Sequence, residues 1–172
     1  MNATSINAAR TYNVLFLCTG NSARSILAEA LLNMLGRGRF RAFSAGSRPS
    51  GHVQPIAADL ATSLGYPRAA LRSKPWDEFV EAGAPAMNMI ITVCDNAAGE
   101  TCPVWPGHPA IAHWGVADPA AVEGSDEMRR HAYLDAMTTL RRRVELLVAL
   151  PAEKLQRLDV AHGLREIAER TA

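Results

Sequence analysis

The 172 residues are 48% hydrophobic and 20% charged, the balance of an ordinary soluble domain with one buried core. A formal net charge of +1 gives no overall field toward nucleic acids or membranes, and no apolar stretch approaches the ~20 residues of a membrane span. Since the N-terminus lacks the apolar core of a secretory signal, we expect a cytoplasmic protein whose three cysteines are not structural disulfides.

The first half of the chain alternates strand patterns with helical patterns. Residues 13–18, NVLFLC, form the short apolar run typical of a strand buried on both faces. Residues 22–35 have the apolar spacing of a helix, which Gly36 is suited to end. Residues 40–46, FRAFSAG, predict a second strand, and residues 55–65 predict a second helix.

The second half continues the alternation. Residues 88–94, NMIITVC, predict a third strand, and residues 110–114, AIAHW, predict a weaker fourth. Residues 125–150 predict a long helix in which the arginines at 141–143 mostly face water. The remaining residues predict one more amphipathic helix, interrupted near Gly163.

This order of elements predicts an α/β domain, with helices on both faces of a parallel sheet. We divide the chain into a flexible lead-in (1–12), the domain (13–150) and a C-terminal helical tail (151–172). Sheets of this type place their functional sites beyond the carboxyl ends of the strands.

Cys18 lies at such a strand end, in the motif CTGNSAR. The residues between Cys18 and Arg24 form a candidate oxyanion-binding loop: Thr19, Gly20, Asn21, Ser22 and Ala23. Backbone N–H groups of such a loop converge on an anion, and Arg24 can add a forked, permanent positive charge. These groups would lower the pKa of Cys18 and make it a nucleophile. The alternative is a buried structural cysteine followed by a solvent-facing arginine; the succession of strand, loop and helix favours the site.

The motif CTGNSARS resembles the phosphate-binding loop of low-molecular-weight protein tyrosine phosphatases and of the arsenate reductases that share their fold. The resemblance covers about residues 14–150. It implies a flavodoxin-like, three-layer fold whose four-stranded parallel sheet has the order 2-1-3-4. It also implies that Cys18 is the nucleophile, that Arg24 binds the oxyanion, that Ser25 stabilises the thiolate and that Asn21 holds the shape of the loop.

Both families take their general acid from an Asp-Pro pair, which here is Asp118 with Pro119. On its own the pair is equally typical of a turn. Phosphatases of this type usually carry aromatic residues directly after the pair, as a wall against the substrate ring. Ala120, Ala121 and Val122 follow here, which favours a small inorganic oxyanion over a phosphotyrosine.

The other two cysteines bear on the choice between an inorganic oxyanion and a phosphotyrosine as substrate. Cys94 ends the third strand, which in the 2-1-3-4 order lies beside the first, so Cys18 and Cys94 are expected roughly 5 Å apart, near disulfide distance. Cys102 follows eight residues later; in a continuous helix it would lie about 12 Å from Cys94, so the segment must bend or unwind. The alternative is that Cys94 only packs and Cys102 is incidental.

The segment CDNAAGETCPVWPG resembles the redox segment of thioredoxin-coupled arsenate reductases. The resemblance implies a relay for arsenic detoxification in which Cys18 attacks arsenate, Cys94 displaces arsenite and Cys102 frees Cys18. Thioredoxin is the expected reductant. Glutathione with glutaredoxin stays open, because the spacing from Cys94 to Cys102 is one residue longer than in familiar members.

The resemblance also bears on ligands and partners. Phosphate or sulfate would compete with arsenate, and no tightly bound cofactor is expected. Some members bind a potassium ion, and Asn21, Glu29 and Ser44 match part of that site, with no clear fourth ligand. No basic-aromatic pattern indicates a nucleic-acid partner. Two rival functions remain: a low-molecular-weight protein tyrosine phosphatase, and a non-catalytic oxyanion-binding module.

Overall fold

The computed structural model describes residues 10–100, 103–156 and 158–172. Its parallel sheet has the strand order β2-β1-β3-β4, which confirms the predicted α/β fold and topology. The strands are β1 (Tyr12–Cys18), β2 (Phe40–Gly46), β3 (Met89–Thr92) and β4 (Ala110–His113). The α-helices are α1 (Arg24–Leu35), α2 (Pro55–Ser63), α3 (Asp95–Gly99), α4 (Asp126–Val148) and α5 (Leu158–Arg170). Short 3-10 helices span Arg68–Ala70, Trp76–Phe79, Pro119–Ala121 and Ala152–Leu155.

Strand β1 lies inside the sheet and is buried on both faces, which explains its uninterrupted apolar run. Val14 and Phe16 point to one face, where they pack with residues of α1, α2, α4 and α5. Leu15 and Leu17 point to the other, toward the 3-10 helix Trp76–Phe79. Each fully buried side chain contributes about 1.5–3 kcal/mol relative to exposure. This packing fixes the end of β1, and with it the position of Cys18.

The structure differs from the predicted elements in two helices. Helix α1 begins at Arg24 rather than at residue 22, because the preceding residues form the loop after β1. Helix α5 continues through Gly163, where a break was predicted. It packs on the sheet next to β4, and the indole N–H of Trp114 donates to the carbonyl of Leu164 at 2.9 Å.

The prediction that Arg143 faces water is wrong. Its side chain is buried, with 5% of the residue exposed, on the inner face of α4. The guanidinium donates to the carbonyl of Gly115 at 3.1 Å and to the hydroxyl of Thr171 at 2.9 Å. Arg143 therefore ties the C-terminal end of the chain to the start of the segment that carries Asp118.

Among the described residues, no helix combines the length and the apolar character that crossing a membrane requires.

Candidate active site

The loop after β1 turns its carbonyl groups outward. The carbonyl of Thr19 accepts a hydrogen bond from the backbone amide of Arg48 at 2.9 Å, and the carbonyl of Gly20 accepts one from the amide of Ser50 at 2.9 Å. The carbonyl of Ser22 accepts one from the amide of Gln54 at 2.8 Å. In a trans peptide the N–H points opposite to the C=O, so the amides that follow these carbonyls face the interior of the loop. The amide of Asn21 does so, donating to Cys18 Sγ at 3.2 Å. The loop therefore presents backbone donors to the space beside the thiol.

The first turn of α1 adds further donors to this space. Ala23 precedes the helix, and its methyl side chain cannot accept a hydrogen bond from the first-turn amides. An anion in the loop can therefore bind the helix N-terminus, where the helix dipole is positive. Loop and helix together form a cradle for a tetrahedral oxyanion.

Asn21 holds the loop to three neighbouring segments. Its backbone is in the left-handed region, with φ 45°, and its side chain is fully buried. The amide nitrogen donates to the hydroxyls of Ser25 at 2.8 Å and Ser44 at 3.0 Å, while the amide oxygen accepts from the backbone N–H of Lys74 at 2.9 Å. These bonds fix the curvature of the loop.

Cys18 is 3% exposed, and its sulfur lies 2.8 Å from the hydroxyl oxygen of Ser25. Burial raises the pKa of the Cys18 thiol, while hydrogen bonds with Ser25 and Asn21 act in the opposite direction. The expected lowering of this pKa is therefore wrong for the structure described here. Burial of the sulfur, the largest effect on this pKa, is the physical reason.

The guanidinium of Arg24 is bound to the segment that follows β4. Nη1 donates to the carbonyl of Val116 at 2.9 Å, and Nη2 lies 3.5 Å from Oδ2 of Asp118. These contacts hold the positive charge against the segment that carries Asp118. An oxyanion in the loop would compete with Asp118 for the same guanidinium.

Asp118 thus lies beside the oxyanion loop, as the sequence predicts for a general acid. Its carboxylate accepts from the amide of Ala120 at 3.0 Å and so caps the 3-10 helix Pro119–Ala121. The side chain is 43% exposed, which leaves it accessible to a reacting group in the cradle. The Asp118-Pro119 pair can therefore be both a turn and the source of a general acid, because the turn holds the Asp118 carboxylate beside the loop.

Cys94 lies two residues beyond the end of β3, the strand that pairs with β1 on the side opposite β2. Leu17 pairs with Thr92, so Cys94 is one residue beyond the position opposite Cys18. This diagonal corresponds to about 6 Å between Cα atoms, within the range that a disulfide spans. Both cysteines are free and buried, so the structure brings the two predicted reacting thiols to one edge of the sheet.

Several contacts hold the segment that follows Cys94. The sulfur of Cys94 accepts a hydrogen bond from the amide of Ala97 at 3.3 Å and so caps α3. The same sulfur lies 3.7 Å from the hydroxyl oxygen of Thr19. That hydroxyl also donates to a carboxylate oxygen of Glu100 at 3.1 Å. Helix α3 ends at Gly99, before the third cysteine. Cys102, predicted to complete the relay, lies outside the described residues.

Two of the three residues matched to a potassium site, Glu29 and Ser44, contact the ammonium group of Lys74. Lys74 Nζ is 3.4 Å from Ser44 Oγ and 3.9 Å from Glu29 Oε1, and Ser44 also binds Asn21. Burial raises the pKa of Glu29 to about 7, and the charge of Lys74 acts against that rise. A potassium ion does not fit this donor set, because a cationic group already lies among the oxygens.

Sequence reasoning did not identify Gly46 as part of the site. A Cβ atom at this position would lie 2.5 Å from the carbonyl oxygen of Thr19 and 3.1 Å from the amide nitrogen of Asn21. Its own amide donates to the carbonyl of Lys74 at 2.9 Å. A glycine at the end of a strand was the available signal, since it marks a close approach of backbone.

The amino-acid sequence matches the model of the low molecular weight phosphotyrosine protein phosphatase family over residues 13–159. The chain belongs to this family. Among its curated relatives are the arsenate reductases of Halalkalibacterium halodurans and Bacillus subtilis, 34% and 32% identical over 114 residues. Each alignment covers 66% of this chain and 78% of the relative.

Solved structures give the same relationship for this family member. The arsenate reductase from Archaeoglobus fulgidus superposes with a TM-score of 0.62 and 28% sequence identity, over 80% of this chain and 99% of that one. The family match ends at residue 159, so most of α5 lies beyond it.

Proposed function

We propose that this member of the phosphatase family reduces arsenate to arsenite through a relay of three cysteines. The observation that carries the proposal is the pair of free, buried thiols, Cys18 and Cys94, at adjacent strand ends beside one oxyanion cradle. A phosphatase needs only the first of them, whereas reduction needs two thiols that together give two electrons. The names of the curated relatives support the same reaction.

The first step joins arsenic to sulfur. Arsenate enters the cradle, Arg24 turns from Asp118 to the oxyanion, and the Cys18 thiolate attacks the arsenic atom. One arsenic–oxygen bond breaks, and Asp118 protonates the departing oxygen, which leaves as water. Ser25, at 2.8 Å from the sulfur, donates a hydrogen bond that stabilises the thiolate.

The second step transfers the electrons. The Cys94 thiolate attacks the sulfur of Cys18, and the sulfur–arsenic bond breaks with its electron pair on arsenic. Arsenic(V) becomes arsenic(III), arsenite leaves, and Cys18 and Cys94 form a disulfide. Cys94 must first release its hydrogen bond from Ala97, so helix α3 loosens in this step.

The third step regenerates the nucleophile. The Cys102 thiolate attacks Cys94, which frees Cys18 and leaves a Cys94–Cys102 disulfide for an external dithiol to reduce. We propose thioredoxin as that reductant, with glutathione and glutaredoxin as the alternative. The cycle needs thiols that are kept reduced, and a cytoplasmic location provides them.

Aryl phosphate hydrolysis is the second candidate function, because Cys18, Arg24 and Asp118 would serve both reactions. The description of the matching family favours it. The residues after Pro119 do not, because Ala120 and Ala121 offer no aromatic surface to a substrate ring.

A coupled assay separates the two reactions. The purified chain is mixed with thioredoxin, thioredoxin reductase and NADPH, and NADPH consumption is followed with and without arsenate. We expect consumption that depends on arsenate, together with little hydrolysis of p-nitrophenyl phosphate in the absence of thiols. Rapid hydrolysis without arsenate-dependent NADPH consumption would assign the protein as a phosphatase; neither activity would leave an oxyanion-binding module. Replacing thioredoxin with glutaredoxin and glutathione identifies the reductant.

A further inference from the structure

Lys74 places a buried positive charge beside the oxyanion loop. Its side chain is 6% exposed, and its ammonium group donates to the carbonyl of Arg72 at 2.9 Å and to Ser44 Oγ at 3.4 Å. Glu29 Oε1 lies 3.9 Å away. Burying an ammonium group is unfavourable unless it is paired and hydrogen-bonded, so this arrangement has to offset a large desolvation cost.

The surroundings of this ammonium are those of a small cation site. Ser44 Oγ accepts from both Lys74 and Asn21, and Glu29 supplies the opposite charge. The second carboxylate oxygen of Glu29 is buried and has no hydrogen-bond partner among the described residues. A potassium ion in the same place would lie beside the ammonium and share its one carboxylate, so the two cations exclude each other.

Lys74 reaches the loop in two ways. Its backbone N–H donates to Asn21 Oδ1, and its ammonium holds Ser44, which accepts from Asn21 Nδ2. The oxygen of the Asn21 side-chain amide is therefore bound by Lys74 itself, and its nitrogen is bound by Ser44, which Lys74 holds. The same amide nitrogen donates to Ser25, whose hydroxyl contacts the sulfur of Cys18.

We propose that the Lys74 ammonium takes the place of a potassium ion, and that Lys74 is a positioning residue which holds the oxyanion loop in its binding shape without any added metal. This role rests on the oxyanion-binding step of the proposed function and is independent of the later thiol exchanges. Oxyanion binding by this protein should therefore not depend on which monovalent cation is present.

The first measurement uses the unmodified protein. Binding of inorganic phosphate is measured by titration calorimetry in potassium, sodium or choline chloride at a constant ionic strength of about 0.1 M, so that screening is equal. We expect the three dissociation constants to agree within about twofold, because a twofold change in affinity is smaller than the effect of losing one hydrogen bond. An affinity that rises more than about threefold in potassium would overturn the proposal, because a metal ion would then be acting at the loop.

Variants of Lys74 test the role of the charge. In choline, Lys74→Ala is expected to bind phosphate about tenfold more weakly, and potassium should restore the affinity because removing the ammonium leaves the oxygens of Glu29 and Ser44 free to bind the ion. Lys74→Met fills the space without a charge and should be weak in all three salts. The exposed Lys154, the other lysine of the chain, supplies the control, and Lys154→Ala should bind as the parent does.

Other outcomes decide against the proposal. Wild-type affinity of Lys74→Ala in choline would show that Lys74 does not position the loop, and weak binding that potassium leaves unchanged would assign Lys74 a purely structural role. If Lys74→Ala does not fold, as judged by circular dichroism, Lys74→Met and the salt series of the parent protein decide. Phosphate binding involves no electron transfer, so a failure of arsenate reduction is distinguishable from a failure of this role.

Discussion

The variant Cys18→Ser is expected to lose both arsenate reduction and any aryl phosphate hydrolysis, by at least about 10⁴-fold. The hydroxyl of serine has a far higher pKa than a thiol and stays protonated in this buried position, so neither arsenic nor phosphorus is attacked. Initial rates in the coupled assay and with p-nitrophenyl phosphate measure the loss. Phosphate binding should persist, because the backbone amides of the loop are unchanged.

Cys94→Ser is the matched control for this variant. Cys94 is the other buried free thiol in the part of the chain that the structure describes, so its replacement makes the same chemical change beside the adjacent strand end. It should stop arsenite release while leaving any weak hydrolysis of p-nitrophenyl phosphate, since hydrolysis uses only the first thiol. Arsenate reduction by Cys18→Ser at a tenth of the parent rate or more, roughly, would exclude Cys18 as the nucleophile.

The variant Gly46→Ala is expected to weaken phosphate binding and to reduce turnover by about 100-fold, the usual effect of a displacement near 1 Å in a reacting site. The new methyl group would lie 2.5 Å from the carbonyl oxygen of Thr19, so the loop backbone has to move away from β2. This movement disturbs the amide of Asn21 that donates to Cys18. Calorimetry with inorganic phosphate and the coupled assay measure both effects.

Gly163→Ala provides the comparison for Gly46→Ala. A Cβ atom at this position would lie 3.6 Å from the nearest atom, a methyl carbon of Leu150, which is an ordinary contact. The substitution lies inside α5 and should stabilise the helix by roughly 0.5–1 kcal/mol without changing activity. Parent-like phosphate affinity in a folded Gly46→Ala protein would mean that the loop does not depend on close packing against β2.

The sheet and the position of Cys18 follow from local patterns. Strand β2 has the predicted bounds, because buried parallel strands have continuous apolar runs that helices separate. The order of the four strands, which the family resemblance implied, is also confirmed. The boundary of α1 was less predictable. Residues 22 and 23, which end the loop, are as small as residues typical of a helix start, so the sequence does not separate the two.

The features that the sequence did not reveal depend on contacts between distant segments. The Lys74 ammonium meets Glu29 and Ser44 only because α1, β2 and the segment before the Trp76–Phe79 helix converge. Arg143 was misassigned as one of three consecutive arginines. Leu140 and Leu147 are buried on the same helix face, and their spacing places position 143 on that face too. For the burial of Arg143, helical periodicity is therefore a better predictor than the charge of the side chain.

The most direct test of the account maps the cysteine pairs after the reduced protein reacts with one equivalent of arsenate and no other thiol. Free thiols are alkylated, and tryptic peptides are analysed by mass spectrometry. Cys18 lies in the peptide spanning residues 11–24, whereas Cys94 and Cys102 share the peptide spanning residues 73–129, because trypsin does not cleave between Lys74 and Pro75.

The relay predicts that the peptide of residues 73–129 loses two hydrogens through an internal disulfide while Cys18 is alkylated. In Cys102→Ser, the same treatment should instead join the two peptides through a Cys18–Cys94 disulfide. Recovery of all three cysteines in alkylated form after arsenate treatment would contradict the account, because arsenic would then have received no electrons from these thiols.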